Sequence, residues 1–205
     1  MPTTECPTLV AMPEGVYTHL TRDQFGKPER IQRSDNATLD AGMVKVDRSY
    51  TYNGLEELCR VIDPETDATL MGYDAAGNLA WSASGLAAST ACSSTGNETL
   101  IAQRKAVRTY DARNRVTSLS FPDLNGNQSW TYTPDGLPET VTTYNDGGAT
   151  TVVNSYAYNK RRLPTSESSA QPGWYTFTAG YGYDGNGNLA SLNRPGFPGH
   201  YGLAG

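Results

Sequence analysis

Apolar and polar residues alternate along much of the chain, the period-two pattern of half-buried β-strands. The pattern is clearest over residues 150–158 and 175–183, where aromatic or β-branched side chains fall on one face. The second run ends at Tyr183 and is followed by Asp-Gly-Asn-Gly-Asn before Leu189 resumes the apolar pattern. Such a linker favours a tight turn, because Gly and Asn tolerate positive φ and Asp can accept hydrogen bonds from nearby amides. The stretch from 180 to 189 therefore predicts a β-hairpin.

The same hairpin recurs along the chain. Each copy has a tyrosine at the end of its first strand, which we call the anchor and number as position 0. The anchors are Tyr52, Tyr73, Tyr110, Tyr132, Tyr158 and Tyr183. Successive anchors lie 21, 37, 22, 26 and 25 residues apart. A supersecondary unit that recurs at nearly constant spacing indicates a repeat architecture.

Three further positions keep their chemistry relative to the anchor. Position −2 is mostly large and amphipathic, and its residues are Tyr50, Met71, Arg108, Trp130, Tyr156 and Tyr181. Position +1 can close a turn through its side chain, and its residues are Asn53, Asp74, Asp111, Thr133, Asn159 and Asp184. Position +4 is Gly or Asn in four of six copies, as positive φ requires, and its residues are Glu56, Gly77, Asn114, Gly136, Arg162 and Gly187.

These patterns predict an all-β fold, an array of antiparallel β-hairpins over residues 16–193. Residues 1–15 are expected to form a flexible leader, and residues 194–205 an irregular Gly/Pro tail. The long spacing after Tyr73 predicts an inserted loop at about residues 82–97, which are rich in Ser, Ala, Thr and Gly. A seventh, decayed copy fits with Arg22 at the anchor position.

One segment has a second interpretation. Leu55, Leu58, Cys59 and Ile62 follow helical spacing, so a short helix is the alternative to a turn and returning strand there.

Composition limits the class of function. Leu, Ile, Val and Phe make up only about 16% of the 205 residues, so thirteen Tyr and three Trp must supply much of the apolar interior. A net charge of −5 argues against nucleic-acid binding. No apolar run is long enough to span a membrane, and the N-terminus shows no cleavable signal-peptide pattern.

The three cysteines leave their state open. Cys59 could form a disulfide with Cys92 and leave Cys6 free, or all three could be small buried thiols. No cysteine pair has the close spacing of a zinc site.

No motif for catalysis or a cofactor stands out, so we expect a non-enzymatic protein without cofactor or resident metal. A nucleophilic triad needs a histidine, and His19 and His200 are expected to be solvent-exposed bystanders. The segment after Tyr183 is similar to the front of a calcium loop, but Leu189 stands where such a loop needs Gly, so a turn is the preferred interpretation.

An anchor tyrosine followed by Asp, two variable residues and Gly resembles the YD repeat of the Rhs family. The match is cleanest at residues 73–77, 110–111 and 181–187. That family includes bacterial polymorphic toxins, the C components of insecticidal toxin complexes and the teneurins. The resemblance implies a long antiparallel sheet, one hairpin per repeat, that curves or spirals into a hollow shell around a toxic domain.

The chain departs from the family in ways that limit what carries over. Six or seven repeats are too few to close a shell, and neither an Asp-Pro-rich core segment nor a further domain follows them. Autoproteolysis and toxicity are therefore not implied. The expected partners are further YD repeats or an enclosed toxin domain in a longer parent, and the expected setting is bacterial, secreted or at the cell surface.

Two functions remain as hypotheses. The first is a structural wall segment of a toxin-encapsulating shell, with the tyrosines packing between strands. The second is a cell-surface carbohydrate-binding module that would use exposed aromatic residues such as Trp130 and Trp174. An open array also exposes edge strands, which predicts self-association.

Overall fold

The computed structural model describes residues 8–39 and 44–194, and these residues form an all-β fold with one short α-helix. The chain divides into two compact units, Met1–Ala106 and Val107–Gly205. Within each unit, neighbouring strands follow chain order and pair antiparallel. The predicted fold class, an all-β array of hairpins, is confirmed.

The first unit holds seven strands and the helix. Its strands are β1 (Leu9–Ala11), β2 (Tyr17–Arg22), β3 (Pro28–Ser34), β4 (Val44–Tyr52), β5 (Leu58–Asp63), β6 (Asp67–Tyr73) and β7 (Leu79–Leu86). Helix α1 (Glu98–Arg104) leads into β8 (Lys105–Tyr110), in which the division between the units falls.

The second unit contains the rest of β8 and seven more strands. These are β9 (Val116–Ser120), β10 (Asn127–Tyr132), β11 (Pro138–Asn145), β12 (Thr150–Tyr158), β13 (Pro164–Gln171), β14 (Tyr175–Tyr183) and β15 (Leu189–Asn193). A short 3₁₀ turn, Asp146–Gly148, joins β11 to β12.

Seven hairpins share one internal register. In each, the residue at position 0 pairs with the residue at position +6, and the ladder shifts by a β-bulge immediately before position 0. The pair is Tyr73 with Leu79 in one copy and Tyr183 with Leu189 in another. The decayed copy is real, because Arg22 pairs with Pro28 across the same bulge.

The contact between one hairpin and the next, which we call a seam, also has a fixed register. The residue at position +9 of one hairpin pairs with the residue at position −4 of the following hairpin. The five seams within the units give the pairs Ile31–Arg48, Val61–Thr69, Leu119–Gln128, Val141–Asn154 and Glu167–Ala179. Within each unit the hairpins are therefore stacked by a single geometric rule.

The helical alternative at residues 55–62 is wrong. Glu56 and its neighbours form the turn, and β5 begins at Leu58 and pairs with β4. The hydrogen-bonded ladder with β4 satisfies the backbone here, so the local helical spacing of apolar residues does not decide the structure.

The stretches outside the hairpins contain more order than their composition indicates. Leu9–Ala11, inside the expected leader, form β1 on the edge of β2. Strand β7 extends to Leu86, well into the expected inserted loop, and only residues 87–97 are irregular before α1. The expected tail from residue 195 onward lies outside the described residues.

The core of the first unit lies between β6, β7 and α1. Its buried apolar cluster is Ala68, Leu70, Ala83, Leu86 and Ile101, with Ile62 and Trp81 packed against it. Leu70 is 1% exposed, and Ile101 is the buried residue that the helix contributes to this cluster. Helix α1 is short, so this burial rather than helix propensity explains its presence.

Candidate functional site: the tyrosine-turn motif

The turn of each hairpin is organised by the side chain at position +1. In the Asp74 copy, Oδ1 accepts hydrogen bonds from the amides of Ala76 and Asn78, both at 2.9 Å, and Oδ2 accepts from the Asn78 side chain at 3.0 Å. The Asp74 amide donates to the Asn78 carbonyl at 2.9 Å, and the Gly77 amide donates to the Asp74 carbonyl at 3.0 Å. The carboxylate is therefore a turn former.

Position +4 has positive φ in all seven hairpins. The values are 83° at Gly26, 65° at Glu56, 78° at Gly77, 59° at Asn114, 94° at Gly136, 65° at Arg162 and 89° at Gly187. Glu56 and Arg162 adopt a left-handed conformation that costs an L-residue with a Cβ about 1–2 kcal/mol. The turn geometry overrides that local preference.

Replacing Arg162 with glycine is expected to stabilise the protein by about 0.5–1 kcal/mol, because the strain at φ 65° is relieved at the cost of a more flexible unfolded chain. The ion pair that is lost, with Asp135 at 3.7 Å, is more than half exposed and contributes little. Urea unfolding measures the change. Gly77→Ala is the matched reverse variant, expected to cost about 1 kcal/mol, and a stabilised Gly77→Ala protein would contradict the strain argument.

Three carboxylates at position +1 have depressed pKa values, those of Asp74, Asp111 and Asp184. The Arg115 side chain, which donates to Asp111 at 2.7 Å, together with the Arg115 and Arg113 amides, lowers the Asp111 pKa to about 2. Hydrogen bonds from the side chain and amide of Asn78 lower the Asp74 pKa, and those of Asn188 do the same for Asp184. The folded turns therefore favour ionised carboxylates.

The melting temperature is expected to fall as pH is lowered from about 4 towards 2. A folded-state pKa below the ordinary value of 3.8 means that the folded protein binds fewer protons, so the stabilisation is complete above the unfolded pKa and is lost as pH falls through the folded one. Thermal melts between pH 5 and 2 measure the slope. Asp111→Asn should flatten it relative to the unmodified protein. Equal slopes in the two proteins would contradict the assignment.

Three anchor tyrosines join their hairpin to the one before it. The hydroxyl of Tyr52 donates to the Pro28 carbonyl at 3.0 Å. Tyr73 donates to Leu58 at 2.9 Å, and Tyr132 donates to Val116 at 2.7 Å. In each case the acceptor is the carbonyl at position +6 of the preceding hairpin. Burial raises the pKa of Tyr52, Tyr73 and Tyr158 and so disfavours ionisation of these phenols further.

Cations from one turn reach the next. Arg113 Nη1 donates to the Pro134 carbonyl at 3.1 Å, and Arg161 Nη1, at the equivalent position, donates to the Gly185 carbonyl at 2.8 Å.

Position +5 supplies a further cation. Lys27 lies 4.9 Å above the centre of the Tyr52 ring, and Arg115 lies 4.1 Å from that of Tyr132. The seam is thus held by strand pairing, by a buried tyrosine hydroxyl and by cations.

The motif residues occupy equivalent positions in their hairpins. The tyrosines and Trp130 are half-buried at the ends of first strands, and the motif Asp and Gly residues lie in the turns. The half-buried aromatic residues are Tyr50, Tyr52, Tyr73, Tyr110, Trp130, Tyr132, Tyr156, Tyr158, Tyr181 and Tyr183. The motif is therefore distributed along the array and does not converge on one pocket.

Cys59 and Cys92 come together in the first unit, with their Cα atoms 5.6 Å apart and a disulfide between them. Cys59 is 6% exposed on β5, and Cys92 lies in the irregular segment before α1. Arg60 Nη1 adds a hydrogen bond to the Thr90 carbonyl at 2.8 Å. The disulfide and this hydrogen bond together hold the segment 87–97 against β5. Cys6 lies outside the described residues.

His19 is not a solvent-exposed bystander, which corrects the sequence expectation. It is half-buried, with Nε2 3.2 Å from both Ser34 Oγ and the Asn36 carbonyl oxygen. Ser34 donates its proton to that same carbonyl at 2.6 Å and is 1% exposed. A nucleophile must meet its substrate, so this Ser–His contact fits a structural network rather than catalysis. His200 lies outside the described residues.

The segment 184–188, which follows Tyr183, forms a turn in the structure, as the sequence predicts. Asp184 Oδ1 accepts from the amides of Asn186 and Asn188 at 2.9 Å each, and Oδ2 accepts from the Asn188 side chain at 3.0 Å. These bonds use the oxygens that a calcium ion would need. The described residues contain no group of three or more His, Cys, Asp or Glu placed to hold a metal. They also contain no helix long and apolar enough to cross a membrane.

The two tryptophans proposed for sugar stacking differ in setting. Trp130 is half-buried within β10, whereas Trp174 is 77% exposed at the tip between β13 and β14. The Trp174 ring packs edge-on against Tyr175, with centroids 5.3 Å apart. Of these two residues, only Trp174 is exposed enough for a sugar ring to stack on it.

The sequence contains no match to any family model, and no curated protein matches it. Solved structures do match. One is the Photorhabdus luminescens Tc holotoxin pore, which is 14% identical over 92% of this chain, with a TM-score of 0.52. A crystal structure of TcdB2–TccC3 without its hypervariable C-terminal region is 15% identical over 92% of the chain, with a TM-score of 0.51. This chain spans about a ninth of the length of those chains, 11% in both cases. The likeness shows the fold.

Proposed function

We propose that the chain is a non-enzymatic wall segment of an Rhs-type shell that encloses a toxic polypeptide. The observation that carries the proposal is the seam rule. Seven hairpins repeat one turn, one bulge and, at five seams, one register, so the motif residues serve stacking. A wall that is extended hairpin by hairpin needs this uniformity, whereas an enzyme needs side chains that converge on one place.

The partners that follow are further hairpins of the same kind and an enclosed polypeptide. The similar solved structures belong to multi-chain Tc toxin assemblies, which supports this choice. An exported, bacterial setting fits the Cys59–Cys92 disulfide, since disulfides persist in oxidising compartments. Neither an autoprotease segment nor a toxic domain is assigned to residues 16–193.

Protease protection tests the wall function in the polypeptide encoded by the whole gene. A segment outside residues 16–193 should resist digestion in the native protein and become sensitive only in denaturant concentrations that unfold the hairpins. If the protease cut every segment outside residues 16–193 as fast in the native protein as in the unfolded protein, enclosure would be contradicted.

A carbohydrate-binding module is the second candidate, and the exposed Trp174–Tyr175 pair favours it. Glycan binding that Trp174→Ala abolishes, and that Trp130→Ala leaves unchanged with the fold intact in both, would support this function. An absence of binding across a glycan array would remove it.

A further inference from the structure

A groove lies between two neighbouring turns of the first unit, residues 23–26 and 53–56. Its volume is about 480 Å³, a size in the range of small-molecule sites. Three aromatic side chains line it: Phe25, which is 63% exposed, and the half-buried Tyr50 and Tyr52. Aromatic faces attract positive charge, so these walls suit an organic cation.

The charged groups that line the groove are all negative. They are the carboxylates of Asp23, Glu29 and Glu56. Lys27 pairs with Glu56 at 2.7 Å, whereas the Glu29 carboxylate has no hydrogen bond or ion pair with another described residue. Burial raises the pKa of Tyr52, and the negative charges of Asp23 and Glu29 add to the shift, so both carboxylates act on this ring. The groove therefore has charge to offer a cation.

Equivalent grooves in the second unit hold an arginine of the chain itself. The residue at position +3 of the turn is Arg113 in one hairpin and Arg161 in another. Each lines a groove together with the anchor tyrosine of the following hairpin. Each also donates to the carbonyl at position +2 of the following turn, Arg113 to Pro134 and Arg161 to Gly185. A guanidinium is thus the group that this kind of groove accommodates.

The groove of the first unit lacks that internal guanidinium. Its residue at position +3 is Phe25, which adds an aromatic ring instead of a cation. The equivalent carbonyl at position +2 of the following turn belongs to Gly54. Among the described residues no side chain donates to this carbonyl. The acceptor and the negative charge are present, and the donor is not part of the groove.

We propose that this groove binds a guanidinium group supplied by another molecule, either an arginine side chain of a polypeptide or a small guanidinium compound. The planar cation lies against the three aromatic rings, donates to the Gly54 carbonyl and is neutralised by Glu29. A guanidinium suits these walls better than an ammonium, because it is planar, weakly hydrated and stacks on aromatic faces. This binding function does not depend on the proposed wall function.

Titration followed by nuclear magnetic resonance tests the site in the full chain. The probe is N-acetylarginine N-methylamide, and the matched control is the citrulline compound, which has nearly the same shape and no charge. The reporters are the Leu55 amide, which shares a peptide bond with the Gly54 carbonyl, and the ring signals of Tyr50 and Tyr52. The arginine compound should bind at least about 5-fold more tightly than the citrulline compound. Equal affinities would overturn the proposal.

Phe25→Arg is the most informative variant, because it gives position +3 the residue type of the two occupied grooves. The new side chain should occupy the site and lower the affinity for the probe at least about 10-fold. Leu55→Arg is the matched control, since Leu55 holds position +3 of the next turn, is 79% exposed and does not line the groove. Its affinity should change less than about 2-fold. Unchanged binding in Phe25→Arg, or an equal loss in both variants, would contradict occupation of the groove.

Glu29→Gln tests the charge and should lower the affinity about 2- to 5-fold, as expected for an exposed ion pair. Glu29 is exposed, so circular dichroism should show an unchanged fold. An affinity that depends neither on Glu29 nor on salt would overturn a cation site. Methylguanidinium separates the two sources. Binding as tight as that of the capped arginine supports a small guanidinium compound as the ligand, and weaker binding supports an arginine of a polypeptide.

Discussion

Replacing Leu70 with alanine is expected to lower the free energy of unfolding of the first unit by about 3 kcal/mol. Leu70 is 1% exposed and lies in the cluster shared by β6, β7 and α1. Leu→Ala changes at buried sites cost 2–5 kcal/mol, because transfer free energy is lost and a cavity remains. Urea unfolding followed by circular dichroism and by Trp81 fluorescence measures the loss.

Leu55→Ala is the control, since Leu55 is 79% exposed at the tip of a turn and its truncation should change stability by less than about 0.5 kcal/mol. The fluorescence of Trp81, which packs against the cluster, should report the Leu70→Ala transition at lower urea. Equal midpoints for the two variants would show that the cluster does not hold the first unit together.

Removing the Cys59–Cys92 disulfide is expected to lower the free energy of unfolding of the first unit by about 4 kcal/mol. The crosslink joins residues 33 apart, and closing a loop of that length lowers the entropy of the unfolded chain by about this amount at 25 °C. Cys92→Ser is the variant of choice, because Cys92 is less buried than Cys59 and its replacement disturbs less packing. The unfolding midpoint of the first unit measures the change.

Two observations separate the crosslink from ordinary packing. Reductant should lower the unfolding midpoint of the unmodified chain to the midpoint of the Cys92→Ser variant. The same reductant should leave the midpoint of the Cys92→Ser variant unchanged. Thiol titration of the unfolded, unreduced chain should find one free thiol, from Cys6. Three thiols, or an unmodified chain insensitive to reductant, would show that Cys59 and Cys92 are not bonded.

The hairpins could be predicted from the sequence because their determinants are local. A side chain at position +1 that can accept amide hydrogen bonds, and a residue at +4 that tolerates positive φ, specify the turn within five residues. Asp23 and Gly26 retain this chemistry even though Arg22 replaces the tyrosine, which explains why the decayed copy folds like the others.

The seam could not be predicted, because its acceptors have no sequence signature. A backbone carbonyl such as that of Pro28 accepts the Tyr52 hydroxyl from 24 residues away, and any residue could supply it. The sequence shows that Arg113 and Arg161 occupy equivalent turn positions, but a cation in a turn is usually only solvated. The carbonyl oxygens that accept their hydrogen bonds belong to the next turn, so only the structure identifies them.

Helix α1 and the His19 network were missed for a related reason. Seven residues are too few to show helical periodicity, and burial of Ile101 in the apolar cluster of the first unit stabilises the helix. The contact between His19 and Ser34 depends on the register of β2 with β3 and on the backbone beyond Ser34. None of this is encoded in the immediate sequence around His19.

The uniform seam register makes each hairpin an exchangeable part. If β10 and β11 were excised together, Leu119 of β9 would meet Asn154 of β12 in the pairing it now makes with Gln128, position +9 against position −4. Insertion of a whole hairpin preserves the pairing in the same way, whereas loss of a single strand residue breaks it on both sides. The length of such proteins can therefore change by recombination in whole-hairpin steps, and homologues should differ in how many hairpins they contain more readily than in how long each hairpin is.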